Sequence, residues 1–360
     1  MTQSTTFEIS KGDWGDCRFV SAELPDLAAG EVRFAVDRFA LTANNISYAM
    51  AGDILGYWNF FPAEGSFGRI PVMGYADVVE SAHDQVPVGE RVFGFFPMGS
   101  HLTIQADPVT PNQLMDSAPH RAETAPAYRQ YTRTATDPLY VADHEDALML
   151  LRGLFMTSFL VDDFLDSEDS FGARAFLVGS ASSKTAIALG HQLSKRGAGE
   201  VIGLTSARNA EFVSNLGCYD RTLLYEDVDS LDAGTPTVLV DMSGSGPMVN
   251  AVHRRLGDQL KHSCIVGATH HDAGPRDENL PGPPPTFFFA PGQIQKRSQE
   301  WGPEVFQQKL ADAWTDFHKF TERWLRVIRG SGEADLERIY RATLAGETRP
   351  CDGHVLSLRV

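Results

Sequence analysis

The chain has 360 residues and a mass of 39.5 kDa, a length that predicts two domains, each with its own hydrophobic core. Its 31 lysine and arginine residues stand against 47 aspartate and glutamate residues, which gives a formal net charge of −16. A net charge of that sign repels nucleic-acid phosphates and anionic membrane surfaces, so neither is expected as a partner.

Four cysteines lie far apart in the sequence, at positions 17, 218, 264 and 351. No Cys-x-x-Cys pair and no Cys–His spacing is typical of a zinc site, and so few cysteines argue against a disulfide framework. The amino terminus lacks the basic and apolar segments of a signal peptide, and no apolar stretch approaches the ~20 residues that a membrane helix needs. We therefore expect a soluble, cytoplasmic protein.

The first hundred residues contain short β-like segments separated by glycine and proline, among them Glu31–Phe34, Ala76–Glu80 and Arg91–Phe96. This pattern predicts a compact antiparallel or barrel-like unit. Between Pro108 and Pro138 the composition shifts to Pro, Thr, Ala, His and Arg with little apolar periodicity. We interpret that segment as a long surface excursion, either a functional cover or a plain solvated insertion.

From Asp143 onward, apolar strands alternate with single helices, which predicts a doubly wound, Rossmann-like parallel sheet covered on both faces. The predicted helices are 147–165, 184–195, 208–216 and 248–256, and the predicted strands are 176–178, 201–205, 222–225, 237–241 and 263–268. Nearer the carboxyl terminus, the pattern predicts a further strand at 287–289, helices at 303–328 and 335–344, and a closing strand at 354–360.

The turn after the first strand of such a sheet is where α/β folds bind phosphate groups. Its residues here are small, which lets the backbone approach an anion, but only one of them is glycine. Lys184 and the residue after it also resemble the end of a nucleoside-triphosphate loop, although glycine is missing at the other positions which that motif requires. The residues that we predict to bind a cofactor in this turn are Gly179, Ser180, Ser182, Ser183, Lys184 and Thr185.

The segment after the second strand, 204–209, contains no acidic residue. Sites for NAD usually place an acidic residue there, where it binds the ribose hydroxyls. Ser206 and Arg208 suit a ribose 2′-phosphate instead and predict NADP as the cofactor; the alternative is a helix-capping serine beside a solvated arginine. Gly244, Thr269 and His270 follow later strands and are further candidates for cofactor binding, with plain turns as the alternative.

The order of these elements and several segments resemble the medium-chain dehydrogenase/reductase superfamily. The likeness lies in Leu41–Gly52 (LTANNISYAMAG), Gly74–Glu80 (GYADVVE), Val86–Phe95 (VPVGERVFGF), Val201–Leu223, Thr237–Gly244 and the final GHVLSLRV. It covers most of the chain except 110–137 and much of 275–329. Within the superfamily, the sequence is similar to the zinc-free quinone reductases and to an uncharacterised bacterial family.

The resemblance implies a β-rich, GroES-like catalytic domain formed by residues 1–145 and 291–360. It also implies a Rossmann-like dinucleotide-binding domain at 146–290, and a homodimer. The zinc-dependent alcohol dehydrogenases of the superfamily carry Gly-His-Glu where this chain has Gly74, Tyr75 and Ala76. They also carry a cysteine near Asn44–Ser47, where this chain has none, so we expect no catalytic zinc.

Tyr48 and Asn44 occupy positions similar to active-site residues of the zinc-free reductases. The resemblance implies that Tyr48 donates a hydrogen bond or proton to the substrate oxygen, and that Asn44 orients the substrate or the nicotinamide ribose. The alternatives are a cleft-wall aromatic residue and a turn residue.

The leading hypothesis is an NADPH-dependent, zinc-independent reductase that transfers hydride to a small conjugated carbonyl or quinone. Two alternatives stay open. One is a dinucleotide-binding sensor or scaffold that has lost hydride transfer, and the other is a non-redox enzyme, such as a lyase or hydrolase.

Overall fold

The computed structural model describes residues 3–266 and 274–359. The chain divides into two compact units, one formed by the residues up to Leu150 together with those from Leu325 onward, and the other by Leu151–Trp324. Across the described residues, no helix has both the length and the apolar character that crossing a membrane requires.

The first part of the chain, up to the boundary of the second unit, consists mostly of strands. In order they are β1 (Gln3–Ser10), β2 (Cys17–Glu23), β3 (Glu31–Leu41), helix α1 (Ala43–Met50), β4 (Phe67–Gly68), β5 (Pro71–Ser81), β6 (Arg91–Pro97), β7 (His101–Val109), β8 (Gln113–Asp116) and β9 (Gln130–Arg133).

The second part alternates helices and strands, as its apolar pattern predicts. Its elements are α2 (Glu145–Ser167), β10 (Ala175–Gly179), α3 (Lys184–Arg196), β11 (Glu200–Thr205), α4 (Ala210–Asn215), β12 (Arg221–Leu224), β13 (Thr237–Asp241), α5 (Gly246–Leu256), β14 (Leu260–Ile265), β15 (Thr286–Phe287), α6 (Ala290–Trp301) and α7 (Pro303–Thr321). The chain then returns to the first unit with β16 (Arg326–Ser331), α8 (Gly332–Leu344) and β17 (Asp352–Ser357).

The first unit is built on a mostly antiparallel sheet in the order β16-β17-β3-β5-β6-β9-β8-β7, in which β16 and β17 run parallel and β7 also pairs with β3. That extra pairing closes the strands from β3 to β7 into a barrel, so no edge is left open between them. Its core contains Phe34, Phe96 and Tyr131, each with no exposed surface. The predicted barrel-like unit is therefore confirmed.

The prediction of a surface excursion between Pro108 and Pro138 is wrong. Strands β8 and β9 of this segment are part of the barrel, and Leu114 and Tyr131 are fully buried in its core. The Arg121 side chain is also fully buried, and it forms an ion pair with Asp116 at 3.0 Å. The segment looks solvated in sequence because its two strands have only four residues each and its buried charge is neutralised by a partner nearby.

The second unit contains the predicted parallel sheet, in the order β12-β11-β10-β13-β14-β15 with every neighbouring pair parallel. Helices α6 and α7 belong to the same unit. Trp314 and Phe317 of α7 pack on Phe155 of α2, with ring centroids 5.5 and 4.9 Å apart. The unit therefore extends to Trp324, beyond the predicted domain boundary at 290. The assignment of separate catalytic and dinucleotide-binding roles stays a prediction.

The predicted helix at 303–328 ends early. Helix α7 stops at Thr321, and Arg326–Ser331 is a strand that pairs in parallel with β17. The N–H group of Arg326 donates to the carbonyl of Cys351 at 2.8 Å, so the backbone of this segment is satisfied by a strand partner that is distant in sequence.

Replacing Asp116 with alanine tests the buried ion pair of the barrel. The Arg121 guanidinium would stay buried without its carboxylate, so we expect the free energy of unfolding of the first unit to fall by about 3–5 kcal/mol. Urea unfolding followed by circular dichroism measures this loss. Glu337→Ala removes a partner of Arg341 in an exposed pair and serves as the control, because exposed ion pairs contribute little. Equal losses in the two variants would contradict a structural role for the buried pair.

Candidate dinucleotide site and tyrosine cluster

The candidate site of the second unit lies at the carboxyl edge of its parallel sheet. Strands β10, β11 and β13 are neighbours, so the turns that follow them meet at one edge. The strand order reverses between β10 and β13, since β11 and β12 lie on one side of β10 and β13 to β15 on the other. Open α/β sheets bind ligands at the carboxyl ends of their strands beside such a reversal.

The turn after β10 packs closely against the end of β13. Gly179 pairs with Asp241, and a Cβ atom at position 179 would lie 2.9 Å from the Met248 side chain and 3.1 Å from the Asp241 carboxylate. A side chain at this position would therefore force the end of the Met248 side chain and the Asp241 carboxylate to shift. The next residue, Ser180, has φ of 55°, a left-handed conformation that non-glycine residues seldom adopt.

Several polar groups of this turn already have partners within the protein. The N–H of Ala181 donates to the Leu204 carbonyl at 2.9 Å, and the N–H of Ser183 donates to the Ser180 carbonyl at 2.8 Å. The Ser183 hydroxyl accepts from the N–H of Ala186 at 3.2 Å and so caps helix α3.

Helix α3 begins directly after this cap, with Lys184 and Thr185 as its first two residues. The N–H groups of a helix's first turn have no carbonyl within the helix to bond, and the helix dipole places partial positive charge there. The predicted residues from Gly179 to Thr185 are thus brought together in a tight turn that leads into a helix amino terminus.

The turn after β11 is tied to the turn after β10. The Asn209 side-chain amide donates to the Ser182 hydroxyl at 3.0 Å, which places Ser206 and Arg208 on a turn that adjoins the first one. The Ser206 side chain makes no capping hydrogen bond, and Arg208 is exposed. The capping alternative for Ser206 is therefore wrong, and both side chains lie at the edge where a 2′-phosphate is predicted.

Of the remaining cofactor candidates, Gly244 belongs to a turn after β13, with φ of 71° and its N–H donating to Asp241 at 3.1 Å. Thr269 and His270 lie outside the described residues.

Sequence reasoning missed Tyr225, which follows β12 directly at the same edge of the sheet. Burial raises the pKa of its phenol to about 12, while hydrogen bonds from the backbone N–H and the side chain of Ser180 act in the opposite direction. The negative charge of Asp241 adds to the rise. The rule that ligands gather at the carboxyl ends of strands would have pointed to this tyrosine.

These residues fit a dinucleotide at the carboxyl edge of the sheet. The helix amino terminus at Lys184 and Thr185 suits a diphosphate. The exposed Arg208 and Ser206, whose side chain caps no helix, suit a phosphorylated ribose. The backbone N–H of Ser180 already donates to the Tyr225 phenol, so a diphosphate can accept from it only after that hydrogen bond is broken.

The two predicted catalytic residues lie on helix α1 of the first unit, four positions apart and therefore on one face. Asn45 holds the start of this helix: its side chain accepts from the Thr42 N–H at 2.7 Å and donates to the Pro71 carbonyl at 2.9 Å. A hydrogen bond links the side chains of Asn44 and Tyr48, so the structure brings this predicted pair together.

Tyr48 belongs to an aromatic cluster with two other tyrosines. Its ring centroid lies 4.9 Å from that of Tyr57 and 6.0 Å from that of Phe95. The Tyr57 hydroxyl lies 3.4 Å from the Tyr128 hydroxyl. Tyr128 comes from the 110–137 segment, which sequence reasoning had placed on the surface, so its part in the cluster was not foreseen.

Burial raises the pKa of Tyr48 well above the ordinary value of a phenol, and the nearby hydroxyls of Tyr128 and Tyr57 raise it further, whereas the hydrogen bond from Asn44 lowers it. Burial and the hydrogen bond to Tyr128 raise the pKa of Tyr57 as well. Tyr48 is therefore protonated across the neutral and mildly alkaline range, and it acts as a hydrogen-bond donor rather than a base.

Within the ranges 3–266 and 274–359, no group of three or more histidine, cysteine, aspartate or glutamate side chains is arranged to hold a metal ion. Cys17, Cys218, Cys264 and Cys351 are free thiols.

Solved structures with this two-part architecture match the whole chain. CurA from Vibrio vulnificus in complex with NADPH is 12% identical, with 99% of each chain covered and a TM-score of 0.63. A protein assigned as an NADPH:quinone reductase from Mesorhizobium loti is 11% identical, with 99% of each chain covered and a TM-score of 0.61. A mutant enoyl thioester reductase from Candida tropicalis is 10% identical, with 99% of this chain and 100% of that chain covered and a TM-score of 0.56.

The chain therefore has the fold of the medium-chain dehydrogenase/reductase superfamily, a Rossmann-like sheet with a β-rich GroES-like unit, as the sequence resemblance predicted. It belongs to the family described as "Protein of unknown function (DUF2855)", whose sequence model matches residues 39–349. A comparison with curated proteins gives no match.

The raised phenol pKa values predict how the protein behaves in alkali. Below about pH 10 the folded and unfolded chains both keep these protons; above it the unfolded chain loses them first. The contribution of Tyr48 and Tyr57 to stability is thus complete below about pH 10 and is lost as pH rises toward their folded-state pKa values.

Absorbance of tyrosinate at 295 nm measures this directly. Between about pH 9 and pH 11, native Tyr48→Phe and wild type are expected to titrate alike, because Tyr48 does not ionise in the folded state. In denaturant, the wild type should titrate one tyrosine more than the variant. If the folded variant titrates one tyrosine fewer than the folded wild type, Tyr48 is solvated.

Proposed function

We propose that this protein is a zinc-independent, NADPH-dependent reductase that transfers hydride to a small conjugated carbonyl compound or quinone. The observation that carries the proposal is the link between the turns after β10 and β11, where Asn209 binds Ser182. This link joins a helix amino terminus suited to a diphosphate with an arginine and a serine suited to a ribose 2′-phosphate.

In the proposed complex, Lys184 and Thr185 at the start of α3 hold the diphosphate, together with the hydroxyl groups of the preceding turn. Arg208 and Ser206 hold the 2′-phosphate. The formal net charge of −16 disfavours an anionic ligand over most of the protein, so basic residues at this edge are needed to offset it. NADPH, when bound, supplies the hydride.

Tyr48 is the proposed donor to the substrate oxygen on which negative charge develops. Its raised pKa keeps the proton on the phenol at neutral pH, and Asn44 orients the phenol through their hydrogen bond. Burial strengthens such a hydrogen bond, because little water competes with it.

What is known of structurally similar proteins agrees with this reaction class. CurA and a mycobacterial relative of 15% identity are described as complexes with NADPH, and the Mesorhizobium loti protein is assigned as an NADPH:quinone reductase. We also propose that the protein is cytoplasmic and forms a homodimer. Size-exclusion chromatography with light scattering would test the dimer.

Arg208→Ala tests the choice of NADP. The loss of a charge-assisted bond to the 2′-phosphate is expected to weaken NADPH binding by about 10- to 100-fold and to leave NADH binding nearly unchanged. Fluorescence titration of both dinucleotides measures the effect. Arg221→Ala is the matched control, because Arg221 begins β12 and thus lies at the opposite edge of the sheet. Equal weakening of NADPH and NADH would contradict the NADP assignment.

Tyr48→Phe tests the catalytic proposal. Removing a donor to the developing oxyanion is expected to lower kcat by about 100-fold or more while the Kd for NADPH is unchanged. Stopped-flow oxidation of NADPH with a panel of enones and quinones measures kcat. Tyr57→Phe, from the same aromatic cluster, is the control and should change kcat little. NADPH binding without oxidation of any substrate in the panel would favour the sensor function instead.

A further inference from the structure

One of the side chains that bond to the turn after β10 is the phenol of Tyr225. The phenol of Tyr225 accepts the N–H of Ser180 and also shares a hydrogen bond with the Ser180 side chain. Backbone N–H groups in the turn after the first strand are the groups that bind a diphosphate in Rossmann-like folds. The Tyr225 hydroxyl therefore lies where an oxygen of the ligand is expected.

Tyr225 reaches this position from two strands away along the same edge of the sheet. It directly follows β12, and β11 lies between β12 and β10. Its ring packs on the apolar cluster that includes Leu204, Leu223 and Val228 and is itself only partly buried. The ring is thus anchored on this apolar cluster, and its hydroxyl group bonds to the turn.

The bonds made by the neighbouring N–H groups differ in kind. The N–H of Ala181 donates to the Leu204 carbonyl, and the N–H of Ser183 donates to the Ser180 carbonyl. Because both acceptors are backbone groups, breaking these bonds would require the strands or the turn itself to move. The partner of the Ser180 N–H is a side-chain hydroxyl, which rotation about the side chain's own bonds can remove. One N–H cannot donate fully to a phenol and a phosphate oxygen at once, so the two compete.

The negative charge of Asp241 lies close enough to the Tyr225 phenol to act on it. Asp241 is fully buried and is bound by the N–H groups of Ser243 and Gly244, at 2.7 and 3.1 Å. A diphosphate that approached Ser180 would meet this charge as well. The phenol, being neutral, is the better neighbour for Asp241 in the absence of a ligand.

We propose that Tyr225 is a gate on the diphosphate end of the dinucleotide site: its hydroxyl holds the Ser180 N–H in the ligand-free protein and must leave when a nucleoside diphosphate group binds. The gate rests on the proposed function, since it acts on the binding of NADPH. It lowers the affinity for any ligand that carries a diphosphate, and it leaves contacts with the 2′-phosphate unaffected.

Tyr225→Phe removes the hydroxyl and keeps the ring on its apolar cluster, so the fold is retained. The variant is expected to bind NADPH and NADH about 2- to 10-fold more tightly than wild type, the range that one competing hydrogen bond accounts for. Adenosine 2′-monophosphate, which carries no diphosphate, should bind both proteins equally. The melting temperature of the ligand-free variant should fall, because one hydrogen bond is lost.

Tyr219→Phe is the matched control. The Tyr219 hydroxyl also bonds to the turn, but it donates to the Ala181 carbonyl at 3.0 Å, and a carbonyl freed in this way offers nothing to a phosphate. We expect no gain in NADPH affinity from it. Fluorescence titration and isothermal calorimetry give the affinities without any measurement of turnover.

The outcomes separate the gate from the proposed function. Tighter binding by Tyr225→Phe together with lower thermal stability supports the gate, as does binding by the variant alone. If wild type binds NADPH and Tyr225→Phe binds it equally or more weakly, the gate is wrong and the reductase proposal stands. An equal gain for adenosine 2′-monophosphate also overturns the gate. If neither protein binds NADPH or NADH, both proposals fail.

Discussion

The carboxyl edge of the parallel sheet depends on one buried group, the carboxylate of Asp241. It has no exposed surface, so its oxygens must be bonded within the protein, and they accept the N–H groups of Ser243 and Gly244. These hydrogen bonds hold the turn after β13 in place. Asp241 also favours a small residue opposite, because Gly179 pairs with it and a Cβ atom at 179 would lie 3.1 Å from the carboxylate.

The turn after β10 is held by three side chains from other parts of the second unit. Tyr225 binds Ser180, Tyr219 donates to Ala181, and Asn209 donates to Ser182. Superfamily members that bind dinucleotides usually have glycines in this turn, which let the backbone approach the diphosphate. This chain has a turn of serine and alanine whose shape is set by hydrogen bonds, and one of those bonds is the proposed gate.

The first unit shows a related use of buried polar groups. Arg121 is fully buried in a barrel of apolar side chains, and it is tolerated because Asp116, the Tyr131 hydroxyl and the Tyr128 carbonyl bind it. The same segment carries Tyr128 into the cluster of Tyr48 and Tyr57. An internal ion pair thus positions the hydroxyl group that helps to raise the pKa of the proposed catalytic phenol.

The sequence by itself determined the alternation of strands and helices in the second unit, because continuous apolar strands and single amphipathic helices leave a local pattern. It also located the turn from Gly179 to Thr185 and the pair of Ser206 and Arg208, since these follow directly from strand ends. The i, i+4 spacing of Asn44 and Tyr48 was likewise readable along one helix.

Only the tertiary structure decided which distant residues meet these positions. Tyr225 bonds to Ser180, which lies 45 positions earlier in the chain, and β16 pairs with β17, although helix α8 separates them in sequence. The strands β8 and β9 are too short to show periodicity, and the buried Arg121 reads as a surface residue until its partner is known. Local patterns report on neighbours in the chain, whereas burial of a charge and competition for an N–H depend on contacts between residues far apart in sequence.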